Sequence, residues 1–207
     1  MGNCVTNVPY SDGDFTSSDG GGYGQGVTET AYGYTVDFSG NWGYNANATS
    51  SDNNANKFKE YMKKAGTELG VDWRLIAAVA MKESTMNPNA ENKDDKQNTA
   101  AGLFQFTNAA WQDCAPRGMK DDYSKKKEVD PSITALINFW KKIFNKIKRA
   151  KTVNDKIALT IQAHHDGINN INNIGTIGKW EEYSPPRDNY GKEYHQKVIK
   201  HYKDFCK

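Results

Sequence analysis

The sequence predicts a mainly α-helical domain that follows a polar N-terminal arm, with the boundary between residues 56 and 57. Three observations favour this fold class. Glycine, serine and asparagine dominate residues 1–56, which hold 10 of the 18 glycines. From residue 57 to 207, apolar residues recur three and four positions apart, which is the spacing of one face of a helix. The same region contains no convincing run of the alternating polar and apolar residues that are typical of strands.

The N-terminal arm differs from the rest of the chain in charge as well as in composition. It contains six acidic residues and no lysine or arginine, so its formal charge is −6. The remaining residues hold 27 basic and 19 acidic side chains, a formal charge of +8. A segment with so little Leu, Ile and Met cannot bury a core of its own. We therefore expect a poorly structured arm, although short alternation within residues 27–38 permits one or two strands.

Two helices begin the helical domain. Residues 57–69 present apolar side chains on one face, and Gly70 is expected to end this first helix. Asp72 is a good N-cap for a second helix over residues 73–83. The second helix is apolar almost all round, which indicates a buried central helix.

Four further helices are predicted from apolar residues at helical spacing; they cover residues 107–111, 131–147, 157–165 and 190–205. Thr107 can cap the first of these. Asp130 and Pro131 are typical of an N-cap followed by proline at the first helical position. Gly167 is expected to end the third.

The carboxyl group of Glu83, at the end of the apolar helix, is the clearest candidate for chemistry. Burial disfavours the charged form of a carboxyl group, and a protonated carboxyl can act as a general acid on a glycosidic oxygen. A solvated glutamate paired with Lys82 is the structural alternative. After a polar loop, Gly102-Leu-Phe-Gln105 brings a turn and an amide toward this helix end. An amide can bind a sugar hydroxyl or an N-acetyl group.

These motifs resemble those of the soluble lytic transglycosylase and goose-type lysozyme superfamily. One is the helix that ends in Glu83-Ser84, and the other is Gly102-Leu-Phe-Gln105, which is similar to the family's Gly-Leu-Met-Gln. A third family motif, Ala-Tyr-Asn-Ala-Gly, maps onto residues 163–167, and the family's late tyrosine maps onto Tyr194. The resemblance covers about residues 57–206 and implies a lysozyme-like helical fold.

The resemblance implies an enzyme that cleaves the β-1,4 bond between N-acetylmuramic acid and N-acetylglucosamine in peptidoglycan, with no metal or other cofactor. Glu83 is expected to be the general acid and base. In a lytic transglycosylase this residue protonates the leaving oxygen, and its carboxylate then helps the sugar's own 6-hydroxyl close a 1,6-anhydro ring. The residues expected to bind substrate are Ser84, Phe104, Gln105, His165 and Tyr194.

Two alternatives stay open. A goose-type hydrolase needs acidic side chains to hold a water molecule on the opposite face of the sugar. The family's aspartate two residues after the glutamine is Thr107 here, which favours the transglycosylase, but Asp94 and Asp95 lie near the second such position. These two could equally be a solvated loop pair. The other alternative is a wall-binding or assembly component without activity, because residues 164–166 depart from the third motif.

The expected partners are peptidoglycan glycan strands and an immunity protein or a delivery machinery. Nucleic acid is not expected, since arginine is scarce and no nucleic-acid-binding motif is present. No apolar run is long enough for a membrane span, and residues 1–6 lack the features of a Sec signal. We therefore expect action on the cell wall after export as an antibacterial effector, or after phage or conjugative delivery. Cys114 and Cys206 could pair in an oxidising compartment.

Overall fold

The computed structural model describes residues 28–31, 34–37, 56–92, 99–147, 150, 153–173 and 192–205. α-Helices make up most of these residues, which confirms the mainly helical fold class. They are α1 (Lys59–Leu69), α2 (Trp73–Ser84), α3 (Asn108–Cys114), α4 (Val129–Lys146), α5 (Val153–Asp166), α6 (Ile168–Asn173) and α7 (Lys192–Phe205). None of the helices in the described ranges is long and apolar enough to cross a membrane.

Two antiparallel pairs of short strands accompany the helices. Strand β1 (Thr28–Ala31) pairs with β2 (Tyr34–Asp37), so the strands that the alternation permitted are present. Most of the predicted arm lies outside the described residues. Strand β3 (Glu91–Asn92) pairs with β4 (Ala100–Ala101). This second pair was not predicted, because two-residue strands are too short to show an alternating pattern.

Helix α2 lies at the centre of the hydrophobic core, as its apolar sequence predicts. All residues from Leu75 to Ala80 are fully buried, and the helix packs chiefly against α1 and α7. At its N-terminus the Asp72 carboxylate accepts a hydrogen bond from the Arg74 backbone N–H at 2.9 Å, which confirms the predicted N-cap. The same buried carboxylate pairs with the Arg74 guanidinium and accepts a hydrogen bond from the Tyr202 hydroxyl of α7 at 3.2 Å. These contacts fix the orientation of the helix that carries Glu83.

The N-terminus of α4 differs from the sequence prediction. Glu128 is the N-cap and Val129 the first helical residue, so Asp130 and Pro131 lie inside the first turn. The prediction placed this start two residues too late. Proline is tolerated there because the N–H groups of the first helical turn have no acceptor within the helix.

The other predicted helix signals agree more closely with the structure. Thr107 caps α3 and accepts a hydrogen bond from the Ala110 N–H at 3.2 Å. Gly167 follows the last residue of α5 with a φ of 82°, as predicted for a C-terminal glycine. Helix α5 nevertheless begins at Val153, about one turn before residue 157. Its first turn is mostly polar, so apolar spacing does not reveal it.

Candidate active site

The C-terminal end of α2 places Glu83, which is partly buried, beside residues of α5 and α7. The chain leaves this helix through Thr85 at a φ of 54° and Met86 at a φ of 61°. A β-branched residue in the left-handed region is an outlier, and Met86 is fully buried, so packing holds this turn in place. Strained backbone of this kind clusters at functional sites.

The solvated alternative requires an ion pair between Glu83 and Lys82, and the structure does not contain this pair. The Lys82 ammonium group lies over the Tyr194 ring, 5.3 Å from the ring centroid. Within the part of the chain that the structure describes, no basic side chain forms an ion pair with Glu83. The carboxyl group is therefore available to exchange a proton with a ligand.

The Tyr194 hydroxyl of α7 lies next to the Glu83 carboxylate. Burial, followed by the charge of Glu83 and its capacity to accept a hydrogen bond, raises the pKa of Tyr194 well above its ordinary value. The phenol therefore stays protonated and can only be a hydrogen donor toward the carboxylate. Its buried oxygen has no hydrogen-bond partner at normal distance among the described residues. The Glu83 carboxylate is the neighbouring acceptor to which the phenol can donate.

The turn at residues 102–105 depends on a glycine. Gly102 has a φ of 85°, and a Cβ atom there would lie 1.9 Å from the Lys126 carbonyl oxygen. Its N–H donates to the Ala90 carbonyl at 2.9 Å, which joins the turn to the segment that follows α2. Gln105 has a φ of 48° and donates its side-chain N–H groups to the carbonyls of Gly102 and Ala90, at 2.9 and 3.3 Å. Its amide nitrogen thus holds the turn, and its amide oxygen is the atom left for a ligand.

Two side chains predicted to bind substrate are directed into the protein instead. Ser84 is buried, and its Oγ lies 3.1 Å from the Ala80 carbonyl oxygen and 3.0 Å from the Leu103 carbonyl oxygen. It therefore joins the end of α2 to the glycine turn. The Phe104 side chain is fully buried, which does not fit the predicted contact with a glycan. Its backbone carbonyl contributes to the site, because it faces the His164 ring.

The His164 ring of α5 forms part of the wall of the site. Its Nε2 lies 3.0 Å from the Phe104 carbonyl oxygen, and the Trp140 Nε1–H donates to its Nδ1 at 3.3 Å. These partners fit a neutral imidazole with its hydrogen on Nε2. Burial lowers the pKa of His164, and the nearby charge of Glu83 opposes that effect. The ring also packs edge to face on Phe106, with 5.7 Å between centroids.

The next residue, His165, has a different environment. Its ring stacks on the Tyr194 ring with 4.7 Å between centroids and 29° between planes. Its Nδ1 lies 2.6 Å from Asp166 Oδ1, and the other oxygen of that carboxylate accepts a hydrogen bond from Gln162 Nε2 at 2.8 Å. The structure thus brings His165 to Tyr194, whereas its contact with substrate stays a prediction.

The remaining residues singled out by the sequence either lie outside the described residues or are buried in the core. Asp94 and Asp95, the predicted water-positioning pair, lie outside the described residues, as does Cys206. Cys114 is a buried free thiol whose Sγ lies 2.7 Å from the Ala110 carbonyl oxygen. Burial raises the pKa of Cys114 to about 12, so it is an unreactive core residue.

Asp166 belongs to the site but was not predicted as a site residue. A signal was present, since an aspartate directly after a histidine can reach the Nδ1 atom of its ring. With it, the site combines a partly buried carboxyl group, a protonated phenol and an imidazole held by a carboxylate. The carboxyl group and the imidazole can exchange protons with a ligand, and the phenol can donate a hydrogen bond.

A sequence model of the transglycosylase SLT domain matches residues 60–185, a span that includes Glu83, Gln105 and His165. No curated protein matches the chain. The matched span covers more than half of the chain and confirms the resemblance carried by the two motifs. The chain belongs to the transglycosylase SLT domain family and is an enzyme of the lysozyme-like glycosidase kind, with a lytic transglycosylase-type action on peptidoglycan.

Proposed function

We propose that this enzyme cleaves the bond between N-acetylmuramic acid and N-acetylglucosamine with Glu83 as general acid and base. The observation that supports this assignment most strongly is the environment of the carboxyl group. Glu83 lies in the last turn of the buried helix α2, has no ion-pair partner in the described residues and is next to the Tyr194 hydroxyl. A general acid needs this combination of restricted solvent access and freedom from a fixed counter-charge.

The chemistry requires one carboxyl group and no water. Glu83 gives its proton to the glycosidic O4 as the bond between C1 and O4 breaks. The 6-hydroxyl of the same sugar then bonds to C1 and gives its proton to the Glu83 carboxylate, and the new bond closes the 1,6-anhydro ring. Tyr194 can donate a hydrogen bond to the Glu83 carboxylate while that group is charged. Hydrogen bonds to a charged acceptor are the stronger kind, so this contact stabilises the state that follows protonation of the leaving group.

The position of Thr107 supports ring closure over hydrolysis. In the resembling goose-type hydrolases this position carries an aspartate that holds the attacking water. Here the Thr107 hydroxyl caps α3 by accepting the Ala110 N–H. If a water-holding pair exists at Asp94 and Asp95 instead, replacing both with Asn should abolish activity. Ring closure predicts that this double variant stays active.

The direct test compares Glu83→Gln with a matched control in the release of fragments from purified peptidoglycan. Glu83→Gln keeps the side-chain shape and should reduce the rate at least about 10²-fold, the low end of the usual contribution of a general acid. Glu68→Gln is the control, because Glu68 lies on α1 and pairs with the exposed Lys141 at 3.4 Å. It should retain wild-type activity. Equal activity in all three proteins, with equal melting temperatures, would exclude Glu83 as the catalytic acid.

We further propose that the enzyme reaches the cell wall as an antibacterial effector and that an immunity protein blocks the Glu83 site in the producing cell. The excess of basic residues after residue 56 favours attraction to anionic wall polymers, which fits the cell wall as the place of action. Directing the wild type to the periplasm of a Gram-negative host should arrest growth, whereas Glu83→Gln should not. Normal growth with the wild-type enzyme in the periplasm would contradict the effector role.

A further inference from the structure

The pair formed by His165 and Asp166 has no role in the reaction as written above. In the resembling family, the corresponding residues of the third motif are an asparagine and an alanine. The substitution replaces an amide, which cannot take up a proton, with an imidazole, which can. The change is therefore chemical as well as steric.

Asp166 fixes the orientation and the tautomer of the His165 ring. Its Oδ1 lies 2.6 Å from the histidine Nδ1, and its other oxygen is held by Gln162. The Asp166 side chain is only 9% exposed, so its carboxylate is shielded from solvent. With the hydrogen of the neutral ring on Nδ1, the lone pair lies on Nε2. The histidine side chain is 38% exposed, and no described residue pairs with its Nε2.

Glu83 and His165 lie beside different parts of the Tyr194 side chain. The carboxylate lies next to the Tyr194 hydroxyl, and the imidazole stacks on the Tyr194 ring at 4.7 Å. Tyr194 therefore has a carboxylate next to its hydroxyl and an imidazole against its ring, so two acid–base groups lie close to one tyrosine. Two such groups can serve the leaving oxygen and the attacking oxygen of one glycosidic centre.

We propose that His165, oriented by Asp166, is the base that accepts the proton of the attacking 6-hydroxyl, while Glu83 is the acid. This inference rests on the proposed function: it keeps the bond that is cleaved, the product and Glu83 as the acid, and it replaces Glu83 with His165 as the base. The bond between C1 and O4 breaks as O4 takes the Glu83 proton. The bond between C1 and O6 forms as the O6 proton passes to His165 Nε2. Solvent then returns a proton from the imidazolium to the Glu83 carboxylate, and no water is consumed.

The charged and titratable groups around the imidazole determine the expected pH dependence. Helix α2 contributes Lys82 and Glu83, α7 contributes Tyr194, and α5 contributes His164 and Asp166. Burial lowers the pKa of His164 and raises the pKa of Tyr194, so both of these side chains stay neutral. Activity should fall on the acid side of the pH profile, because a protonated imidazole cannot accept the O6 proton.

The test is the pH dependence of kcat for three substitutions, each checked for an unchanged melting temperature. His165→Phe keeps a ring that can stack on Tyr194 and removes the base, whereas His165→Asn restores the family's amide. Both should lower kcat about 10²-fold and remove the fall in kcat on the acid side. Asp166→Asn should lower kcat less, because the imidazole remains but its tautomer is no longer fixed.

Two outcomes would overturn the inference and leave the proposed function intact. One is a His165→Asn enzyme with a kcat within about threefold of the wild type, since an amide cannot accept the proton. The other is an unchanged acid-side fall in kcat for His165→Phe. A wild-type enzyme that releases no fragments, or full activity of Glu83→Gln, would instead overturn the proposed function and this inference with it.

Discussion

Replacing Gly102 with alanine should destabilise the fold more than the same change at Gly118 or Gly167, which also have positive φ. The Gly102 φ of 85° is unfavourable for a residue with a Cβ atom, which costs about 1–2 kcal/mol. The new methyl group would also lie 1.9 Å from the Lys126 carbonyl oxygen and 2.8 Å from the carbonyl carbon. These are backbone atoms that cannot rotate away, so overpacking adds about 1–3 kcal/mol. We expect the free energy of unfolding to fall by about 2–5 kcal/mol.

Gly118→Ala is the matched control for this prediction. Gly118 has nearly the same φ, 83°, but a Cβ atom there would meet no atom within 4 Å. It should lose only the backbone contribution, about 1–2 kcal/mol. Thermal unfolding followed by circular dichroism would measure the melting temperatures of both variants. In a domain of this size each kcal/mol of lost stability lowers the melting temperature by about 2–4 °C. If Gly102→Ala is no less stable than Gly118→Ala, then the turn does not pack against Lys126 as described.

Three further predictions concern the core. Tyr202→Phe removes the hydrogen bond donated to the buried Asp72 carboxylate and should lower the free energy of unfolding by about 1–3 kcal/mol in urea; no change in the urea midpoint would contradict this contact. Burial lowers the pKa of His195 to about 3 from an ordinary value of 6.5, so the unfolded chain binds this proton first. The contribution of neutral His195 to the free energy of unfolding should therefore be fully present above pH 6.5 and be lost as the pH falls toward 3. The loss should be about 1.4 kcal/mol between pH 7.5 and 5.5. A His195→Leu variant whose stability has the same pH slope would refute this prediction. Ser84→Ala should lower the free energy of unfolding by about 1 kcal/mol, since it removes the contact with the Leu103 carbonyl. The variant should keep far more activity than Glu83→Gln. Loss of all activity at full stability would instead show that Ser84 has a direct role in catalysis.

The fold could be predicted where a helix is long and its ends carry clear signals. For α2, the cap at Asp72 and the uninterrupted apolar run predict both its start and its burial. The start of α4 was misplaced because Pro131 fits any position of a first turn, so a local signal cannot decide between neighbouring positions. The pair of strands β3 and β4 depends on contacts across a loop and has no local pattern at all.

The candidate site shows the same division between local signals and distant contacts. The position of Glu83 at the end of α2 could be predicted from the apolar helix and the Glu83-Ser84 motif. The directions of Ser84 and Phe104 depend on partners 19 and 60 residues away, at Leu103 and His164. Periodicity cannot supply such contacts, because it describes one element at a time. The link between His165 and Tyr194 likewise arises only when α5 and α7 pack together.

The central claim is that Glu83 drives an intramolecular ring closure, and the mass of the released muropeptides tests it most directly. Purified wild-type enzyme should convert peptidoglycan into fragments that end in 1,6-anhydro-N-acetylmuramic acid, each lighter by one water than a hydrolysis product. Glu83→Gln, at the same concentration and with the same melting temperature, should release none. Fragments with reducing ends from the wild type, or anhydro fragments from Glu83→Gln, would contradict the account.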